Sequence, residues 1–170
     1  SSIGSAWRAK GKYDRAIDYH RLALAIDSVA LGAKHPNVAI DLGNLGAAYH
    51  AKGEYDSAID FYGKALVIDS VIFGTKHPKV ATIMNNLGSA WNAKGEYDLA
   101  IDFVGKAFAI DSVAFGAMHP SVARDLNNLG SAWQEKGDYH IAIDFYGKAL
   151  AIDSVFFGAK HPDVARDLNN

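Results

Sequence analysis

The chain has 170 residues, 49% of them apolar and 21% charged, and a formal net charge of −2. That length buries a core without staples, and so balanced a charge leaves no basic footprint for nucleic acid. The absence of cysteine excludes a disulfide scaffold, thiolate zinc and thiol catalysis within these residues, and no apolar run approaches the ~20 residues of a membrane helix.

One register runs from end to end. Gly11, Gly53, Gly95 and Gly137 stand 42 residues apart, as do Tyr13, Tyr55, Tyr97 and Tyr139 and the pairs His35-Pro36, His77-Pro78, His119-Pro120 and His161-Pro162. Residues 1–170 are therefore expected to form a single array of about four units, broken inside a helix at both ends.

In chain order, Ile3–Lys10 predicts the second half of a first helix, with Gly11 as its end. Each following unit predicts a helical hairpin, clearest in the one that opens at His77. Pro78 suits a first helical turn, where a missing N–H costs nothing. Ala81, Met84, Leu87, Gly88 and Trp91 then mark one face of a helix of about four turns, called helix A. Gly95 suits a left-handed C-terminal position. A second helix of about five turns, helix B, starts near Glu96, carries Tyr97, Ala100, Ile101, Val104, Ala107 and Phe108, and breaks at Gly116. His161–Asn170 predicts the first half of a last helix A. No segment alternates like a strand. A lone amphipathic hairpin leaves one face wet, so the hairpins must stack on each other.

Leu87–Phe108, LGSAWNAKGEYDLAIDFVGKAF, resembles a tetratricopeptide repeat. Its Leu-Gly-x-x-Tyr/Trp, Gly-x-Tyr-x-x-Ala-Ile and Ala-Leu/Phe positions are met in every unit. Where the 34-residue form of the family has a proline near its end, this chain has Ser70, Ser112 and Ser154. It adds eight residues and the His-Pro opening. This longer form, with HPxVAxxLNNL, resembles the repeats of kinesin light chains. The resemblance implies an all-α fold, a right-handed superhelical α-solenoid of stacked antiparallel helix pairs. Helix A would line the concave groove and helix B the convex side.

Positions that recur in every unit read as scaffold. Trp7, Tyr49, Trp91 and Trp133 are expected to fill the hairpin interface. Gly46, Gly88 and Gly130 lie inside helix A, where glycine costs ~1 kcal/mol relative to alanine, which suggests close approach of helix B. Gly63, Gly105 and Gly147 lie in mid helix B, and tight contact with a neighbour is one explanation. The histidine row does not suggest a metal site. Zinc holds nitrogen at ~2.0–2.1 Å, whereas packed helices stand about 8–10 Å apart, so a row cannot converge. The Asp-Ser pairs, such as Asp111-Ser112, have no histidine at a spacing that would make the serine a nucleophile. Bonding across the loop is the alternative role for the aspartate. No enzyme activity, cofactor or metal is expected.

The other face of helix A carries the candidate site. Thr82, Asn85, Ser89 and Asn92 form one polar line. Its counterparts are His50 in the unit before, Arg124, Asn127, Ser131 and Gln134 in the unit after, and Arg8, Arg166 and Asn169 at the ends. The same pattern fits a solvated helix face. Asn85, Asn127 and Asn169 place an amide at one phase of successive units, and a carboxamide both donates and accepts. By resemblance to kinesin light chain-type repeats, such a ladder grips the backbone of an extended peptide; Gly43 interrupts it. Those relatives also meet acidic cargo with basic groove residues, for which only Arg8, Arg124 and Arg166 qualify.

The expected function is a protein–protein interaction module that binds an extended peptide in the groove, with no nucleic-acid or membrane partner. A structural scaffold is the alternative. Ile3, Trp7, Val164 and Leu168 would then join copies head to tail through incomplete terminal repeats. A third possibility is the sensor portion of a larger signalling protein or enzyme. The lack of cysteine favours a cytoplasmic location.

Overall fold

The structure, a computed structural model, describes residues 2–158 and 162–169; His161 and the side chain of Val164 lie outside the described residues. The described residues form nine α-helices and no strand. They are α1 (Ser2–Ala9), α2 (Tyr13–Leu31), α3 (Pro36–Lys52), α4 (Tyr55–Phe73), α5 (Pro78–Lys94), α6 (Tyr97–Phe115), α7 (Pro120–Lys136), α8 (Tyr139–Phe157) and α9 (Pro162–Asn169). Odd-numbered helices are helix A of their units and even-numbered ones helix B.

The helix ends explain the recurring letters. His35, His77 and His119 are N-caps: each ring accepts at Nδ1 from the backbone N–H two residues on, at 3.2, 3.1 and 3.1 Å. The imidazole so takes the place of the usual Ser or Asp oxygen. The same rings stack on the end of the preceding helix, His77 on Phe73 and His119 on Phe115, with centroids 4.9 and 4.4 Å apart. At the other end of α5, Gly95 takes φ 88°, ψ 7°. Its N–H bonds to Asn92 and that of Glu96 to Trp91, which closes the two orphan carbonyls of a Schellman cap. Gly116 ends α6 at φ 87°, ψ 157°, a region open in practice to glycine alone.

Neighbouring helices pack in sequence from α1 to α9. Successive A helices also touch (α1 with α3, α3 with α5, α5 with α7), and no comparable contact joins successive B helices among the described residues. Helices that meet on one side and spread on the other make the array curve, with the A helices on the inside. The fold is an all-α superhelical solenoid of stacked antiparallel helix pairs. Leu45, Val80, Val104 and Val122 are under 2% exposed, and Ala58, Ala65, Ala100 and Ala107 are fully buried. Small residues on helix B let the neighbouring helices come close.

The helix A glycines do what their position suggests. A Cβ on Gly88 would stand 2.3 Å from Val104 Cγ2, and one on Gly46 or Gly130 would strike the ring of Tyr62 or Tyr146 at 2.6 or 2.7 Å. The mid-helix B glycines are different. Nothing lies within 4 Å of a Cβ built on Gly63, Gly105 or Gly147, so tight packing is not their reason, and the contacts offer no other.

Candidate functional site

The inner face is polar, and most of its polar groups join one repeat to the next. Asn85 on α5 is only 3% exposed. Its amide donates to Asp125 on α7, and its oxygen accepts from Asn128 Nδ2 at 2.6 Å. Asn92 Nδ2 donates to Ser131 Oγ at 3.2 Å, and His50 Nε2 lies 3.5 Å from Ser89 Oγ. Gln134 Oε1 accepts from the Tyr146 hydroxyl at 3.0 Å. Asn127 is also buried, at 8% exposure. Thr82, exposed, turns its hydroxyl back on its own helix and donates to the Pro78 carbonyl at 3.1 Å. Arg8 and Asn169 are exposed.

These contacts engage one member of the expected amide ladder. Asn85 and Asn127 recur at one phase and both are buried, and Asn85 is turned into the seam between α5 and α7. The reason is the curvature: adjacent A helices are close enough for their side chains to meet. Two of the three arginines are engaged as well. Arg124 Nη2 donates to Asp111 at 3.2 Å and to Asp125 at 3.1 Å. Arg166 Nη2 donates to Asp153 at 3.2 Å. These two cations are paired with buried carboxylates. Two aspartates late in helix B, Asp111 and Asp153, do bond across the loop, as their awkward place near a helix C-terminus suggested.

Burial raises the Asp125 carboxyl to about 7, reinforced by the Asp111 charge and opposed by Arg124 and Asn85. Burial raises Asp111 as well, against the pull of Arg124 and Asp125. Asp41 is also raised, by burial first and then by Asp27 beside it.

Between α3 and α5 lies an open cleft of about 300 Å³ lined by Ile40, Gly43, Asn44, Ala47, Asp69, Lys79, Thr82, Ile83 and Asn86. Gly43 stands where Asn85 stands one unit later, and without that side chain Asn86 lacks the partner that Asn128 has. Asn44 and Asn86 are half-buried, and neither makes a side-chain hydrogen bond to another described residue. Sequence reasoning passed over them. The signal was present, because Asn44, Asn86, Asn128 and Asn170 recur at one phase, but that recurrence reads as scaffold.

Of the residues assigned to self-association, Ile3 and Leu168 are 55% and 69% exposed. Trp7 is different: it packs against the core cluster, with Arg15 over its ring at 4.6 Å and Lys10 at 5.5 Å. On the convex side Val29, Val71, Val113 and Val155 form an exposed recurring row. Among the described residues no helix is long and apolar enough to cross a membrane.

The tetratricopeptide repeat model matches residues 1–70, 45–112 and 79–153. The chain belongs to the tetratricopeptide repeat family. Its fold is similar to that of the nearly identical TPR-like repeats of a kinesin light chain-type protein from Podosopora anserina. That match has TM-score 0.81 and 21% identity, over 98% of this chain and 79% of that one. It is also similar to BtubC (BKLC) from P. vanneervenii, with TM-score 0.81 and 25% identity over 94% of this chain and 63% of that one. MamA matches with TM-score 0.63 and 26% identity, over 98% and 83%. No curated protein matches the sequence. As a tetratricopeptide repeat array, the chain is a protein-interaction or scaffold module, of a family whose members are typically non-enzymatic.

Proposed function

We propose that the concave face binds an extended segment of another protein, seated on α3 and α5. The observation that carries this reading is the open seam. Asn44 and Asn86 line it with free carboxamides, each of which offers a donor and an acceptor to a peptide unit. Asn128, the equivalent group one unit on, is engaged with Asn85 of the preceding repeat. The proposed groove so centres on Thr82, Asn44 and Asn86, flanked by His50 and Ser89. The test is capture of a random peptide library by the immobilised chain, followed by affinity measurement on the retained peptides. Asn44→Ala with Asn86→Ala should weaken them at least tenfold while the helical circular dichroism is unchanged. A library from which nothing is retained overturns the reading.

Head-to-tail association is the second reading, favoured by the exposure of Ile3 and Leu168. Light scattering at rising concentration tests it, with Ile3→Asp and Leu168→Asp expected to abolish growth in mass. A mass that stays monomeric throughout removes this reading.

A further inference from the structure

An aspartate stands four residues before the end of helix B in every unit, at Asp27, Asp69, Asp111 and Asp153. Asp111 and Asp153 each hold an arginine thirteen residues on, Arg124 and Arg166, at 3.2 Å. Asp69 does not. Thirteen residues after it stands Thr82, whose hydroxyl is turned to the Pro78 carbonyl, and fourteen after it Ile83 replaces the acid that Asp125 provides in the next unit. Asp69 is 8% exposed, lines the open cleft, and takes part in no hydrogen bond or ion pair with another described residue. Two cationic groups lie nearby. The Lys79 ammonium sits over the Phe73 ring, 4.3 Å from its centroid. The His77 ring is committed to the Lys79 N–H and to Phe73. Both act on Asp69 only at a distance, and burial still raises its carboxyl above the ordinary range.

The cleft itself has the shape of a missing side chain. Ile40, Ala47 and Ile83 give it apolar walls. At Gly43 a Cβ would meet Ile83 Cδ1 at an ordinary 3.5 Å, so the missing side chain of this glycine leaves space in the cleft. A nearly buried carboxylate without a partner is costly, and two sister positions in the same chain show what satisfies it. We infer that this cleft receives an arginine side chain of the bound segment, its stem against Ile40, Ala47 and Ile83 and its guanidinium paired with Asp69. Arginine fits better than lysine because its planar fork holds a carboxylate through two N–H groups. The inference rests on the groove reading above and gives that groove a preference for basic segments.

Two probes separate the inference from the groove reading. In an amide-resolved NMR titration, N-acetyl-arginine methylamide should shift the signals of Gly43, Asp69 and Ile83. The neutral isostere N-acetyl-citrulline methylamide should not. Asp69→Asn should abolish the shifts. Thr82→Arg, which puts an internal arginine where Arg124 stands in the next unit, should block them with the carboxylate intact. For labelled groove-binding peptides, exchange of one arginine for citrulline should weaken binding at least tenfold in the wild type and have no effect in Thr82→Arg. Equal shifts with the two amides, or arginine-dependent binding that survives both substitutions, overturns the inference. Peptides that bind through Asn44 and Asn86 with no preference for arginine leave the groove reading standing and the inference refuted. Arginine-amide shifts without any peptide binding keep the Asp69 site and refute the groove.

Discussion

Asn85 on α5 donates its side-chain amide to Asp125 on α7, forty residues further along the chain. Both side chains are nearly inaccessible, at 3% and 0% exposure, and Asn128 completes the cluster by donating to the Asn85 oxygen. This hydrogen-bonded cluster fixes the spacing of two repeats.

Asn85→Leu should therefore lower stability by about 1–3 kcal/mol, because Asp125 and Asn128 lose a buried partner and nothing replaces it. Urea denaturation measures this without any ligand present. If the variant keeps wild-type stability and loses only peptide affinity, the side chain acts in the groove after all.

Asp125 makes part of that stability depend on pH. Its carboxyl is raised to about 7 in the folded state, against roughly 3.9 unfolded. As pH rises between these values the unfolded chain gives up its proton first, so the contribution present in acid is lost through this window and levels off above it. Asp125→Asn removes the titration and can still accept from Asn85. Its stability relative to wild type should climb from about pH 4 to about pH 7 and then level off. A difference that does not change with pH excludes this account. The comparison with wild type cancels titrating groups that do not touch Asp125, among them His20, which burial lowers and which therefore acts against stability as pH falls.

Two glycine substitutions should differ in sign. Gly88→Ala places a Cβ 2.3 Å from Val104, an overpacking that costs about 1–3 kcal/mol. Gly105→Ala meets nothing within 4 Å and should raise stability by about 0.5–1 kcal/mol through helix propensity alone. Thermal melts of both, with Gly88→Ala/Val104→Ala as a partial rescue, check the pair. Destabilisation by Gly105→Ala would reveal a contact that the fold does not account for.

The histidine caps predict a modest loss. His77→Ala removes the acceptor for the Lys79 N–H and the stack on Phe73. It should cost about 0.5–2 kcal/mol, most of it restored by His77→Asn, whose side chain also caps. Chemical denaturation of the three proteins reads this directly. An asparagine no better than alanine shows that the stack, and not the cap, is what matters.

Much of this protein was decided locally and was legible in the letters. The helix breaks lie at Gly95 and Gly116 because backbone conformations there need glycine, and Pro78 opens α5 because its lost N–H is not missed. The 42-residue period then dictates stacking, since each hairpin has an apolar face to cover. Which polar residues stay free for a partner was not local. Asn85, Asn86, Arg124 and Asp69 look equally available along a helix face. Their fates depend on the side chain that the curvature brings opposite each one, about forty residues away or across a loop. Gly43 opposite Asn86, and Thr82 opposite Asp69, leave an amide and a carboxylate without partners. That vacancy exists only when the A helices lie side by side, because a hydrogen bond is satisfied by distance in space and not by spacing in sequence.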